Sequence, residues 1–220
     1  MNVVVVAPHP DDEIIGVGGT MAKHSRNGDS VHVVTVTRGS DKFYDKGVVE
    51  SGRNQQEYAN LILGTEKVHR LDFDSPEIDT LPHWILVKRI QELISSINPD
   101  VAYIPHYGDM HIEHRIVSEC CMVALRPKEF RDVTIYGYEV PSETGWNVPA
   151  QHNEFIPNVY VKIDDEFVLK KKALEAFSSQ MNEYPSARSV EAIESLAKYR
   201  GSTVGTNMAE AFMLIRMQRS

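Results

Sequence analysis

Runs of β-branched residues alternate along this chain with stretches that carry apolar residues at helical spacing. That alternation restricts the fold more than any other feature. Val3–Val6 is an unbroken valine run, as in a strand covered on both faces. The pattern then predicts a helix over Ile14–Arg26 with Asp12 as its cap, a strand over Val31–Thr37, a polar loop over 38–48, and a helix over Glu50–Leu63 stopped by Gly64. Val68–Phe73 reads as a third strand and Val101–Pro105 as a fourth. Between them, His83–Ile97 reads as a helix whose apolar stripe takes Trp84 into the core. Further on, a helix is expected through Cys120 and Cys121 to about Leu125, with strands over Val133–Val140 and Asn158–Ile163. Helices follow over Glu166–Gln180 and Val190–Tyr199, and Ala209–Met217 fits either type. Strands alternating with helices imply an α/β fold, a mostly parallel sheet with helices on both faces. No repeat, low-complexity tract or linker breaks the pattern, so a single domain over 1–220 is expected.

The net charge of −8 argues against a nucleic acid partner, whose phosphates draw basic surfaces. The two cysteines are adjacent and rarely close an unstrained disulfide in that arrangement, so buried, reduced thiols and a reducing cytoplasm are expected. No basic n-region precedes the first strand, and no apolar run approaches the ~18 residues of a membrane span. These features predict a soluble, cytoplasmic protein with no membrane partner.

The chemistry-bearing residues gather at two loops. His9-Pro10-Asp11-Asp12-Glu13 sets three acids side by side at the mouth of the first strand, where a cation would offset their repulsion. His106 to His114 holds three of the chain's nine histidines, and His111 and His114 share one side of a helical turn. Both loops leave the carboxyl ends of strands, the edge at which open α/β sheets bind ligands. Two imidazoles and a carboxylate with a fourth position open form a recurrent set for catalytic zinc. The competing reading has the acids favouring a helix dipole and the histidines simply solvated. Gly16, Gly18 and Gly19 lack the G-x-G-x-x-G order of a dinucleotide site and read as close helix–sheet contacts. His24, His32, His69, His83 and His152 read as structural or solvated, His106 as a non-ligand, and Trp146 as a sugar-stacking residue or an oligomer contact.

The stretches PHPDDE (8–13) and DMHIEH (109–114) resemble the two signatures of the PIG-L/LmbE family of zinc-dependent de-N-acetylases. RNQQEYANLILG (53–64), FIPNVYVKIDDEFVLKKKALEAFSSQ (155–180) and RGSTVGTNMAEAF (200–212) extend the likeness along most of the chain. The resemblance implies a Rossmann-like three-layer α/β/α sandwich that removes acetyl groups from N-acetylated amino sugars or their conjugates. It implies Zn2+ held by His9, Asp12 and His114, although these donors do not exclude Fe2+. A metal-bound water would be the nucleophile, Asp11 the general base, protonated His111 the second catalytic group and Arg53 a substrate contact. Relatives are often homo-oligomers.

Two departures stand out. Glu113 occupies a position commonly held by Asp, and its longer side chain would shift His111 if it orients that ring. Gln56 falls where relatives often carry Glu, with Glu57 beside it as a compensating acid. Two other readings stay open: zinc amidohydrolase chemistry on a non-sugar amide, and a non-catalytic Rossmann-like module that holds a nucleotide. The loops 39–48, 74–82 and 141–154 are expected to set specificity.

Overall fold

A computed structural model describes residues 1–218. Seven strands form one sheet in the order β3-β2-β1-β4-β5-β7-β6. They are β1 (Asn2–Ala7), β2 (Ser30–Gly39), β3 (Lys67–Ser75), β4 (Val101–Pro105), β5 (Thr134–Tyr138), β6 (Val159–Lys162) and β7 (Ala209–Arg216). The helices are α1 (Asp12–Arg26), α2 (Lys46–Leu63), α3 (His83–Ile97), α4 (Ile112–Ala124), the single turn α5 (Pro141–Thr144), α6 (Phe167–Ala176) and α7 (Val190–Ser202). Strands β1 to β5 pair in parallel, whereas β7 runs antiparallel to both β5 and β6. The segment that fitted either type is therefore a strand, placed against the otherwise free edge of β5.

The period-two alternation of a strand sorts its side chains between two layers. Val4 and Val6 of β1 pack with Leu86, Ile90 and Ile94 of α3 and with Val117 and Cys121 of α4. Val3 and Val5 point the other way, onto Ile14, Val17 and Met21 of α1, Ala59 and Leu63 of α2, and Leu174 of α6. Each of the four valines is fully buried, a contribution on the order of 1.5–3 kcal/mol apiece. The result is the three-layer α/β/α arrangement expected from the alternation.

Trp84 departs from expectation: it is 66% exposed. The buried stripe of α3 is Leu86, Ile90, Ile94 and Ile97, and a residue two positions before Leu86 lies about 200° around a helix of 3.6 residues per turn. Strands β2 and β3 and helix α2 extend beyond the predicted bounds, and α6 ends at Ala176, short of Gln180. Cys120 and Cys121 are free and buried. Among the described residues no helix is long and apolar enough to cross a membrane.

The glycines of α1 let the helix approach its neighbours. A Cβ on Gly16 would lie 2.4 Å from the Tyr138 ring, and one on Gly19 would lie 2.8 Å from Ile163 Cδ1. Strands β1 and β4 are neighbours in the sheet, with Val3 opposite Val101 and Val5 opposite Tyr103. The chain crosses to opposite faces after them, so the crevice beyond their carboxyl ends is the switch point of the sheet. The two histidine-bearing loops open there.

Candidate active site

The first loop is built around an unusual backbone. Asp11 is the N-cap of α1 at φ 118°, the left-handed region that a residue with a Cβ adopts only under strain. Asp12 is not the cap, as its position suggested, but the first helical residue, and no side chain caps this helix. Its carboxylate accepts the backbone N–H of His9 at 2.9 Å and turns toward the second loop. Thr37 of β2 anchors the turn by donating to the Pro8 carbonyl from its N–H at 3.0 Å and its hydroxyl at 2.8 Å.

Three donor atoms converge across the crevice. Asp12 Oδ2 lies 3.3 Å from His9 Nδ1 and 3.1 Å from His114 Nε2, and the two nitrogens are 3.3 Å apart. Donors ~2.0–2.1 Å from a tetrahedral zinc are separated by about 3.3 Å, so the triangle has the dimensions of one face of that polyhedron. The outer nitrogen of each imidazole is already engaged. His9 Nε2 donates to Glu113 Oε2 at 2.8 Å and His114 Nδ1 to Asp109 Oδ2 at 2.9 Å. Ser75 in turn donates to Glu113 at 2.6 Å, and Thr144 donates to Asp109 Oδ1 at 2.6 Å. A carboxylate behind each imidazole is the usual support of metal-bound histidine, since it fixes the ring and directs the other lone pair inward.

Charge gives the same answer. Burial alone would lower both imidazoles, yet Asp12 and Glu113 hold His9 up at about 9, and Asp12 with Asp109 holds His114 up at about 10. Burial would raise Asp12, and the facing His114 and His9 instead hold it well below the usual carboxylate range. The cluster demands positive charge at its centre, which a divalent cation supplies in place of two protons. The residues present therefore fit a metal ion.

Asp11 stands beside this triangle and is 3% exposed. Burial pushes its carboxyl up to about 7 against the pull of the Arg188 guanidinium, with Asp12 and Glu13 adding to the rise. Its Oδ2 pairs with Arg188 Nη2, while its Oδ1 is buried with no hydrogen-bond partner among the described residues. Glu13 is fully buried and accepts the Asp11 N–H through Oε2 at 3.1 Å. Its Oε1 accepts from Gln56 Nε2 at 3.0 Å and Asn60 Nδ2 at 2.9 Å. The third acid of the run is thus a backbone clamp on the strained residue. Gln56 fills its own buried place, and Glu57 faces outward to Arg70 at 2.7 Å instead of compensating for it.

His111 caps α4, with Nδ1 accepting the Glu113 N–H at 3.2 Å. Burial and the neighbouring His9 and His114 push its ring down to about 4. A neutral ring that accepts at Nδ1 carries its proton at Nε2. With Nδ1 so engaged, Nε2 is the ring nitrogen left to donate. The Glu113 carboxylate, which would shift His111 only if it oriented that ring, reaches His9. His106 Nε2 contacts the Asn153 carbonyl at 2.9 Å, away from the triangle.

A cavity of about 370 Å³ runs from His9, Asp11 and His111 over the ends of β2 and β3, where Arg53, Asp72 and Tyr44 line it. Arg53 Nη2 pairs with Asp72 Oδ1, and its Nε is buried without a partner among the described residues. Trp146, 58% exposed, is not among the lining residues, whereas Tyr44 is. Asp109 could have been suspected from its place in the second motif. Arg188, Glu143 and Tyr44 carry no local signal, because only the folded chain brings them to the loops.

Residues 4–125 match the model of the GlcNAc-PI de-N-acetylase (PIG-L) family, and that segment holds both loops and all three donors. The chain belongs to this family. A diacetylchitobiose deacetylase of Thermococcus kodakarensis is 29% identical over 97% of this chain and 83% of its own length. An uncharacterized deacetylase of Escherichia coli, YaiS, is 27% identical over 81% of this chain and 91% of its own length. The crystal structure of the conserved protein TT1542 from Thermus thermophilus superposes with a TM-score of 0.79 at 25% identity, covering 100% of this chain and 97% of that one. This PIG-L family protein thus shares its whole described architecture, and not the matched segment alone, with known relatives.

Proposed function

We propose that this protein is a zinc-dependent hydrolase that removes the acetyl group from an N-acetylated amino sugar or sugar conjugate. The observation that carries the reading is the triangle of His9 Nδ1, Asp12 Oδ2 and His114 Nε2 beside an unpartnered Asp11 oxygen, at the inner end of a cavity. The family and the deacetylase relatives support it. His9, Asp12 and His114 would hold the ion, whose chemistry is to acidify a water and polarise a carbonyl.

The chain's own residues supply the rest. Asp11 Oδ1 takes the proton of the attacking water, and Asp11 then delivers it to the departing amine. His111 donates from Nε2 to the oxygen that gains charge, the place where a preset donor contributes most. Arg53 and Asp72 orient polar groups of the sugar, and Tyr44 packs against a ring or aglycone beyond it. A disaccharide-like conjugate matches a cavity that reaches from the catalytic end to the edge of the sheet.

The test is acetate release from a panel of N-acetylglucosamine, diacetylchitobiose, sugar–acid conjugates and acyclic N-acetyl amides, with Zn2+, with Fe2+ and with chelator. Metal-dependent release from the sugars is the expected result. Release from acyclic amides alone would replace the sugar assignment, and activity unchanged by exhaustive chelation would remove the metal. His111→Ala should keep bound metal and lower kcat by about 100-fold or more.

A further inference from the structure

We infer that Arg188 is a positioning residue for Asp11, holding one carboxylate oxygen so that the other faces the reacting groups. The inference rests on Asp11 acting as the base.

The hydrogen bonds of the described residues give the Asp11 carboxylate a single partner, Arg188 Nη2 on Oδ2. The guanidinium is itself held from other directions. Nη1 lies 3.3 Å from Ser142 Oγ and 3.8 Å from Glu143 Oε1, and Nε donates to the Gln180 carbonyl at 3.3 Å. A planar group fixed along several edges has little freedom, so it constrains the carboxylate it touches. The backbone of Asp11 is clamped separately by Glu13. Arg188 therefore governs what the backbone clamp leaves free, the rotation of the carboxylate about its own axis.

Another arginine–carboxylate pair in this protein looks different. Arg200 grips Glu139 with two bonds, Nε to Oε1 at 2.8 Å and Nη2 to Oε2 at 2.7 Å, and both acid oxygens are satisfied. Arg188 engages only one oxygen of Asp11 and leaves the other buried and unpaired in a residue that lines the cavity. A stability-driven contact would have used the two-bond geometry, since an unpaired buried acceptor is costly. The turn that holds Arg188 also serves the other half of the site: Thr144 of α5 bonds Asp109, which supports His114. Helix α5 and Arg188 lie outside the family-matched segment, so the C-terminal part of the chain completes a catalytic geometry whose donors lie in the N-terminal part.

The experiment compares wild type with Arg188→Ala, Arg188→Met and Arg188→Lys, measuring kcat, KM, bound metal and the effect of added guanidinium. Arg188→Ala should lower kcat by about 100-fold, as misplacing a reacting group by an ångström does, with bound metal unchanged and KM within about threefold. Guanidinium should restore at least about tenfold of that loss, and Arg188→Lys, which keeps one donor, should fall between. Crystal structures of the metal-loaded variants should show the Asp11 carboxylate rotated in Arg188→Ala or, if that variant does not fold, in Arg188→Met. A kcat within threefold of wild type, or a loss that guanidinium does not reverse with Asp11 unmoved, overturns the inference. If the wild type releases no acetate from any N-acetylated sugar, the deacetylase reading falls. The position of Asp11 in the variant structures then decides Arg188 on its own, and an unmoved carboxylate counts against it.

Discussion

Replacing Glu13 with Gln changes no volume and removes one charge, which makes it a sharp probe of how Asp11 is held. Three donors converge on the Glu13 carboxylate: Asp11 N–H on Oε2, and the amides of Gln56 and Asn60 on Oε1. An amide offers one acceptor oxygen and one NH2. With its oxygen toward Gln56 and Asn60, the NH2 of the substituted side chain meets the Asp11 N–H, donor against donor. The variant loses a bond to a charged group and leaves a backbone N–H buried and unpaired, a combined cost of about 3 kcal/mol. For a chain of this length each kcal/mol shifts Tm by about 2–4 °C, so thermal unfolding should move down by about 6–12 °C. Freed of its clamp, Asp11 can relax from φ 118° toward an unstrained backbone, carrying its carboxylate off the cavity wall. On the proposed mechanism kcat falls by about 100-fold while bound metal, measured by elemental analysis, stays near wild type. A Tm within about 2 °C of wild type together with kcat within about threefold would refute the reasoning, because the donor count would then have no consequence.

Three further outcomes follow from the same geometry. Glu113→Gln, which weakens the acceptor behind His9, should reduce metal affinity by about 10–100-fold in a competition titration with a chromogenic chelator; unchanged affinity would mean that His9 needs no support. Lys170 Nζ is buried between Glu210 Oε1 at 2.6 Å and the Ile15 carbonyl at 2.7 Å, so Lys170→Met should cost about 3–5 kcal/mol in denaturant unfolding, with Lys170→Met/Glu210→Gln recovering part of it. Tyr44→Ala should raise KM for a disaccharide substrate by about tenfold, the worth of one aromatic contact of ~1.4 kcal/mol, with little change for a monosaccharide; equal effects on both would place Tyr44 outside the extended part of the cavity.

The regular part of the fold was readable because periodicity is a local property. Val3–Val6 could only be a buried strand, and the stretch from His83 carried a helical repeat strong enough to survive the misplacing of Trp84. Ala209–Met217 was not decidable, since its partner strands β5 and β6 lie far away in sequence and only pairing with them makes it a strand. In the site, His9, Asp12, His111 and His114 announced themselves through spacing within two short loops. Glu113 was noticed without a settled role, because which imidazole its carboxylate reaches depends on a crevice formed by β1 and β4 side by side.

By itself, then, the chain's local chemistry determined the strand–helix alternation, the two histidine-bearing loops and the donor types that suit a divalent ion. Those follow from short-range pattern and from what each side chain can bind. The tertiary structure alone decided that the three donors form a triangle of zinc dimensions, that Glu13 clamps the strained Asp11, and that Arg188 closes on it from 177 positions away. Distances between residues remote in sequence arise only when the sheet brings strand ends together. The difference between three repelling acids and three acids with separate partners is a matter of those distances.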